Sequence, residues 1–342
     1  MSVRMKDIAN ELFLSEATVS LALNNKRGVN EKTRKLVMET AERMGYMANS
    51  NARSLSKKKN KTIGVVVPNI ENPYFGHLVR HIDEFVCEKG YKMILSVSNE
   101  CANKEEEIVR DFVSKRVEGI IVAPVSNLSQ NRCYMPLLNK NRIKCVFATS
   151  FYESFRSSYV MTDLDEGARM MTSHLIETGH KDIFYLLGNT MNSVVNLARS
   201  NGYFRAYEKH SIQCDAHNIV GCDSMDFEGA YKATLNLLKS GKKVDAIMTA
   251  NDIMALGVLR ALKEKEISVP SEISVCGYDN LIFSETASIP ITTINQDLKT
   301  IAKRAVDIIM AIDEKGKMVI QDKIKPCLVI RSSSAPKNTR GV

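Results

Sequence analysis

The sequence predicts two kinds of structure in one chain: a small all-α unit at the N-terminus, then a larger α/β body of two lobes built on parallel sheets. Three observations carry this. Charge is segregated: residues 1–61 hold 13 Lys and Arg against 6 Asp and Glu, a net of +7, while the remaining 281 residues carry 34 against 33. Short amphipathic helical patterns separated by a tight turn fill the basic segment. After residue 61 β-rich runs alternate with helical stretches, twice over.

Composition bounds the rest. A chain of 342 residues has room for two or three compact units. With 44% apolar and 25% charged residues it is globular rather than disordered. No apolar run approaches the roughly 18 residues that a membrane span needs. The first residues, Met1-Ser-Val-Arg-Met-Lys6, lead into an amphipathic helix rather than the apolar core of a signal peptide. A cytoplasmic protein with no membrane partner is therefore expected. The eight cysteines, at 87, 101, 133, 145, 214, 222, 276 and 327, form no Cys-x-x-Cys pair. Cys145, Cys276 and Cys327 fall in apolar strand-like runs, so buried reduced thiols are expected rather than disulfides or a zinc site.

The first helix is predicted over 5–12, with Met5, Ile8, Ala9 and Leu12 on one face. Phe13 and Leu14 make the turn. Ser15 is a good N-cap for a second helix over 16–23, because its hydroxyl can accept from an otherwise unpaired N–H. Val19, Ala22 and Leu23 turn to the core, which leaves Glu16, Ala17, Thr18, Ser20 and Leu21 outside it. A third helix starts at an Asn30 cap, presents Thr33, Leu36, Val37, Thr40, Ala41 and Met44 at helical spacing, and stops at Gly45. This is a helix-turn-helix on a basic segment. The N-terminal end of the second helix in such a motif enters the major groove of DNA.

In the body, strands are predicted over 62–67, 92–97, 119–123 and 145–148, then over 183–187, 245–249 and 273–276. Helices over 105–115 and 167–178 lie between them. Two more strands, 291–294 and 327–330, flank a helix over 298–313, as if the chain crosses back and forth between lobes. Open parallel sheets bind ligands beyond the carboxyl ends of their strands. That rule selects the loops at 68–75, 98 and 124–126 and, in the second lobe, 188–196, 251–252 and 279–280. Their mixture of polar and aromatic residues suits a small polyhydroxy or heterocyclic ligand.

Met5-Lys-Asp-Ile-Ala9, Ser15 to Asn24, Val29-Asn-Glu-Lys-Thr-Arg34, Gly45-Tyr46 and Asn49-Ser-Asn-Ala-Arg-Ser-Leu55 resemble the lactose/galactose repressor (LacI/GalR) family, and the likeness runs through nearly the whole chain. The resemblance implies a DNA-binding set of Ser15, Glu16, Ala17, Thr18, Ser20, Leu21, Asn24, Asn49, Ala52, Arg53 and Leu55. Glu16, Ala17 and Leu21 would read bases, and Thr18, Ser20 and Asn24 would hold phosphates. Residues 49–57 would form a hinge helix that orders on operator DNA, with Leu55 as a minor-groove wedge. An apolar side chain between base steps kinks the duplex, and Arg53 with Lys57, Lys58 and Lys59 can neutralise phosphates. Three positions depart from the family pattern. Leu21 stands where Arg is usual and cannot make the bidentate bond to guanine, so a thymine-methyl contact or weaker discrimination is expected. Phe13 replaces the turn glycine, so the turn must differ locally or bear some strain. Arg4 replaces the usual threonine cap.

For the body the resemblance implies a periplasmic-binding-protein type I fold with Rossmann-like sheets. Asn72-Pro-Tyr-Phe75 resembles a motif whose aromatics pack on ligand. Arg199, in Asn196-Leu-Ala-Arg-Ser-Asn-Gly-Tyr203, matches an arginine that binds ligand hydroxyls or carboxylate. Asn251-Asp252, Gly277-Tyr-Asp-Asn280, Asp163 and Thr292-Thr-Ile-Asn-Gln296 match further family stretches. The implied effector-binding set is Tyr74, Phe75, Ser126, Asp163, Arg199, Asn251, Asp279 and Gln296. Other roles compete: one of Tyr74 and Phe75 can pack on the core, Asp252 can cap the helix after it, and Asp163 and Asp279 can also be caps. Thr149-Ser150 stands where many relatives carry Asp-Arg, so the usual charged clamp on sugar hydroxyls is missing from that wall.

The expected organisation is a DNA-binding head over 1–48, a hinge helix and linker over 49–61, and an effector-binding and dimerisation domain over 62–342. Its first lobe would comprise 62–161 and 291–325, its second 162–290 and 326–342. The expected function is a ligand-responsive transcription regulator, a repressor, acting as a homodimer on a palindromic operator in double-stranded DNA. The small-molecule effector would be a sugar or sugar derivative. The alternative, a solute-binding protein of a transport system, shares the body but calls for a signal peptide and no basic head. An enzyme is not expected: there is no Gly-rich phosphate loop, no Gly-x-Ser-x-Gly and no metal-spaced His/Cys cluster. No catalytic residue, metal or cofactor is assigned. His77 and His81 share a helical face, where a surface or dimer-interface role fits better than a metal. Residues 331–342 carry no apolar heptads, which favours a dimer over a coiled-coil tetramer.

Overall fold

The computed structural model describes residues 3–46, 60–125, 134–154, 156–188, 193–312 and 318–337. The chain divides into two compact units, Met1–Asn60 and Lys61–Val342. Among the described residues no helix is long and apolar enough to cross a membrane.

Among the described residues the first unit has three helices, α1 (Met5–Glu11), α2 (Glu16–Leu23) and α3 (Glu31–Arg43). Ile8, Ala9, Val19, Ala22, Val37 and Ala41 form its core. Ser15 caps α2 by accepting from Thr18 N at 3.1 Å, and Asn30 caps α3 by accepting from Thr33 N at 2.8 Å. Arg4 offers no side-chain cap; its N–H instead donates to the Asp7 carboxylate at 2.7 Å, half of a capping box. Phe13 adopts φ +54° with its ring fully in solvent, which is the strained turn expected from the missing glycine. Leu36, on the same helical spacing, is 48% exposed; α3 buries Val37, Thr40 and Ala41, and Met44 just after it packs against the same core.

The second unit carries two parallel sheets. In the first, β1 (Thr62–Val67), β2 (Lys92–Val97), β3 (Gly119–Val122), β4 (Lys144–Ala148), β5 (Ser158–Thr162) and β11 (Gln321–Ile324) lie in the order β11-β5-β4-β3-β1-β2. In the other, β6 (Ile183–Gly188), β7 (Ile219–Cys222), β8 (Ala246–Thr249) and β9 (Ser274–Cys276) lie in the order β7-β6-β8-β9. Helices cover both faces, so β1 and β6 are buried at every residue, as continuous apolar runs in parallel sheets must be. The helices that position the site are α4 (Pro73–Glu88), α7 (Leu164–Glu177), α8 (Val194–Lys209), α10 (Asp252–Glu264) and α12 (Leu298–Ala311).

The chain passes between the lobes after β5, after β10 (Thr293–Asn295) and after β11, and β12 (Cys327–Val329) then pairs antiparallel with β10. These crossings are laced together. Thr162 Oγ1 donates to Gln296 O at 3.0 Å, and Asp163 N donates to Ile324 O at 2.9 Å. α12 returns to the first lobe, where Ile301, Ala305 and Ile309 share a core with Leu78 and Ile82 of α4. The last described segment closes on the second lobe: Val275 N donates to Ser333 O at 2.8 Å.

β5, β7 and β11 were not anticipated. Cys327, expected in a buried run, is exposed, because β12 has β10 as its strand partner and presents Cys327 outward. Cys145, Cys222 and Cys276 are buried free thiols.

Candidate functional site

In the first unit, the N-terminal end of α2 presents the expected DNA-facing residues. Glu16 and Ala17 are exposed, and Thr18, Ser20 and Leu21 are half-buried outside the core cluster. Ser15 Oγ and Thr18 Oγ1 lie 2.8 Å apart, and Asn24 Nδ2 donates to Ser20 O at 2.8 Å, so these polar groups are held in place from within α2. Leu21 extends toward Gly28, which takes φ +109° in the loop after α2; a Cβ there would lie 3.6 Å from Leu21 Cδ1. Arg34, which the sequence did not single out, locks this loop. Its guanidinium donates to Asn25 Oδ1 at 2.6 Å, Lys26 O at 3.1 Å and Val29 O at 3.3 Å. Lys26, Arg27 and Lys32 remain exposed around it. Asn49, Ala52, Arg53, Leu55 and Lys57 to Lys59 lie outside the described residues, as does Ser126.

In the second unit the strand-end loops converge as the open-sheet rule requires. Asn72 caps α4 by accepting from Tyr74 N at 3.0 Å, with Pro73 at the first helical position, and this turn points Tyr74 inward. The Tyr74 hydroxyl donates to Gln296 Oε1 at 3.3 Å, and Gln296 Nε2 donates to Asp279 Oδ1 at 2.5 Å. Asp279 sits at φ +112°, pinned by its N–H to Ile294 O at 2.8 Å, so the loop after β9 is zipped onto β10 beside Gln296. Strained backbone recurs at Thr149 (φ +70°), at the end of β4.

Arg199 reaches the same place from α8. It is 6% exposed, and its guanidinium carbon stands 4.9 Å from the centre of the Tyr278 ring. Its Nε is buried without a hydrogen-bond partner, as are the hydroxyls of Tyr185 and Tyr278. Gly167 of α7 makes room for Tyr278: a Cβ there would fall on the Tyr278 hydroxyl.

Electrostatics follow from burial. Asp279 is pushed well above the ordinary carboxylate range by desolvation and by neighbouring Asp252, with Arg199 and Gln296 opposing. Asp252 is pushed up to about 7 by desolvation, opposed by bonds from Thr293 Oγ1 at 2.6 Å and Leu281 N at 2.8 Å and by Arg331. Burial also raises Tyr74, Tyr185 and Tyr278, so the three phenols stay neutral hydrogen-bond donors.

Not every expected residue converges. Phe75 turns from Tyr74, edge to face at 5.2 Å, and packs against the α4–α12 core. Asn251 has both ends of its amide engaged: it caps α10 by accepting from Met254 N at 2.8 Å and donates to Met225 O at 2.9 Å. Asp252 is therefore not the cap; it braces the loop after β9. Asp163 caps α7 by accepting from Glu166 N and pairs with Lys323 at 3.8 Å, at a lobe crossing. Tyr185 and Tyr278 were missed. Tyr278 adjoins Asp279 in a motif already noted, which was a usable signal; Tyr185 sits unmarked in an apolar strand.

A family profile described as "Bacterial regulatory proteins, lacI family" matches residues 4–49, and one described as "Periplasmic binding protein-like domain" matches residues 172–334. The chain is 32% identical over 336 residues to the HTH-type transcriptional repressor PurR of Glaesserella parasuis serovar 5 (strain SH0165), covering 96% of this chain and 97% of that one. It is 30% identical over 324 residues to catabolite control protein A of Priestia megaterium, covering 94% and 96%. Among solved structures, the lac repressor dimer bound to operator and the anti-inducer ONPF superposes with a TM-score of 0.85 at 24% identity, over 98% of this chain and 100% of that one. A regulator from Enterococcus faecium with bound ribose superposes with a TM-score of 0.70 at 26% identity, over 80% and 99%.

Proposed function

The chain belongs to the LacI family of bacterial regulatory proteins, and from that premise we propose that it is a ligand-responsive, sequence-specific DNA-binding repressor of transcription. The observation that carries this reading is the presence in one chain of an exposed helix end on a basic unit and, in the body, converging strand-end loops with buried polar groups left without hydrogen-bond partners. A transport protein would have no use for the first.

Residues 1–48 read DNA, with Glu16, Ala17 and Leu21 toward bases and Ser15, Thr18, Ser20 and Asn24 toward the backbone. Residues 49–61 form the hinge, with Asn49, Ala52, Arg53 and Leu55 in the minor groove. Two copies pair through residues 62–342, so the operator is an approximate palindrome. A small polar effector, a sugar or sugar derivative, sits between the lobes on Tyr74, Arg199, Asp279 and Gln296. It acts through its unequal affinity for two lobe arrangements, and by no more than that difference. The protein works in the cytoplasm, where its DNA is.

Fluorescence anisotropy of the full chain on labelled duplex tests this. Affinity should fall steeply with salt, as counterion release requires, and fall further with Leu55→Ala. A salt-independent affinity, or Leu55→Ala binding as tightly as the parent, would contradict the reading.

A further inference from the structure

The linker joins the body at a backbone that is bent and clamped. Lys61 is the first residue of the second unit, and Thr62 after it opens β1. Lys61 takes φ +44°, a left-handed conformation that a lysine keeps only where its surroundings impose it. The imposing group is a carboxylate. Glu118, half-buried at the residue before β3, accepts from Lys61 N at 2.7 Å with one oxygen and from the Tyr91 hydroxyl at 3.0 Å with the other. Its charge strengthens both bonds. Burial and that same carboxylate raise the Tyr91 phenol, which therefore stays protonated and donating. The backbone closes the clamp: Lys92 N donates to Lys61 O at 2.9 Å, and Glu118 N donates to Thr62 O at 2.9 Å. The junction is thus tied to the leading ends of β2 and β3, the neighbours of β1 on either side. In these parallel strands the opposite ends carry the loops at 68–75, 98 and 124–126.

We propose that Glu118, backed by Tyr91, is a positioning residue for DNA recognition: it sets the path on which the linker leaves the first lobe, and so restricts where the DNA-binding residues can stand. This rests on the reading of residues 1–61 as DNA-binding head and hinge, and adds a determinant in the body. Lys61 is exposed, so water can replace the bond from its N–H, and loss of the carboxylate should leave the fold intact. What is lost is direction. A freed junction samples further backbone conformations, and these must be surrendered when two heads seat together on one operator. Both chains of the pair carry the clamp, so the cost is met twice. Phosphate contacts on an arbitrary sequence need no fixed register and do not depend on it.

The test uses the full chain and two duplexes of equal length at one salt concentration, the first enriched from genomic fragments by the parent and the second unrelated in sequence. Glu118→Ala should bind the enriched duplex on the order of ten-fold more weakly, while its affinity for the unrelated duplex and its melting temperature stay those of the parent. Glu118→Gln keeps an acceptor for Lys61 N and should recover most of the loss, and Tyr91→Phe should show a smaller loss in the same direction. Limited trypsin digestion reads the junction without DNA. Cleavage after Lys61, which leaves Thr62 as a new N-terminus, should be several-fold faster in Glu118→Ala. Parental discrimination between the duplexes in Glu118→Ala, or an unchanged cleavage rate, would overturn the proposal and leave the DNA-binding reading intact. An equal loss on both duplexes, or a loss that comes with a lowered melting temperature, would make Glu118 a structural group. A parent that enriches no sequence would overturn the DNA-binding reading, and the proposal with it.

Discussion

Gln296 donates a 2.5 Å hydrogen bond to the buried carboxyl of Asp279, while its carbonyl oxygen accepts from Tyr74. Tyr74 comes from the first lobe and Asp279 from the second. Gln296 also lies at a crossing, where its backbone oxygen accepts from Thr162. One side chain thus ties a residue of each lobe to a crossing between them. Gln296→Ala should cost about 1–3 kcal/mol of stability, the usual penalty for leaving buried polar groups unmet. It should also weaken the effect of ligand on DNA affinity. Chemical denaturation and ligand-dependent anisotropy measure the two; an unchanged ligand response would remove Gln296 from the coupling.

Asp252 gives a pH signature. Its folded pKa of about 7 lies above the ordinary carboxyl value, so the folded state holds a proton that the unfolded chain releases. This group therefore favours folding at low pH, and that contribution is lost as pH rises from about 4 through 7. Asp252→Asn removes the titration. Compared with the parent, the variant should fare worse at pH 5 than at pH 8, a difference of order 1 kcal/mol or more. Melting temperatures across that range check it, and a constant offset would contradict it.

Gly202 lies where α8 crosses α7. A Cβ there would land on the backbone oxygen of Asp165, which cannot swing aside as a side-chain tip can. Gly202→Ala should destabilise by about 1–3 kcal/mol and disturb Arg199 one turn earlier on α8. A variant of parental stability would mean that the two helices separate easily.

Leu21 bears on base choice. Bound DNA should show no strong guanine requirement at the base pair it faces, and Leu21→Arg should create one, with about 1–3 kcal/mol of discrimination. Competition among duplexes differing at that pair measures this; a guanine requirement already present in the parent would contradict the assignment.

Much of this was legible in the sequence, for physical reasons. α2 and its cap follow from Ser15 and the Val19–Ala22–Leu23 spacing; β1 and β2 follow from apolar runs bounded by turn residues. β11 was hidden because Gln321-Asp-Lys-Ile324 is polar except for its last residue and lies at a sheet edge, and is a strand only by pairing with β5. Arg199, Asp279 and Gln296 were visible as motif residues. That Asn251 uses up its amide internally, or that Tyr185 and Tyr278 leave hydroxyls unmet, depends on side-chain directions set by packing, which no local pattern encodes.

The central claim is that this chain reads a specific DNA sequence as a symmetric pair. Selection of genomic fragments by the full chain at fixed, stated salt tests it most directly. An enriched, approximately palindromic motif whose half-sites lie about one helical turn apart is the predicted result. Retention of fragments that share no sequence, at any salt that permits binding, would contradict it.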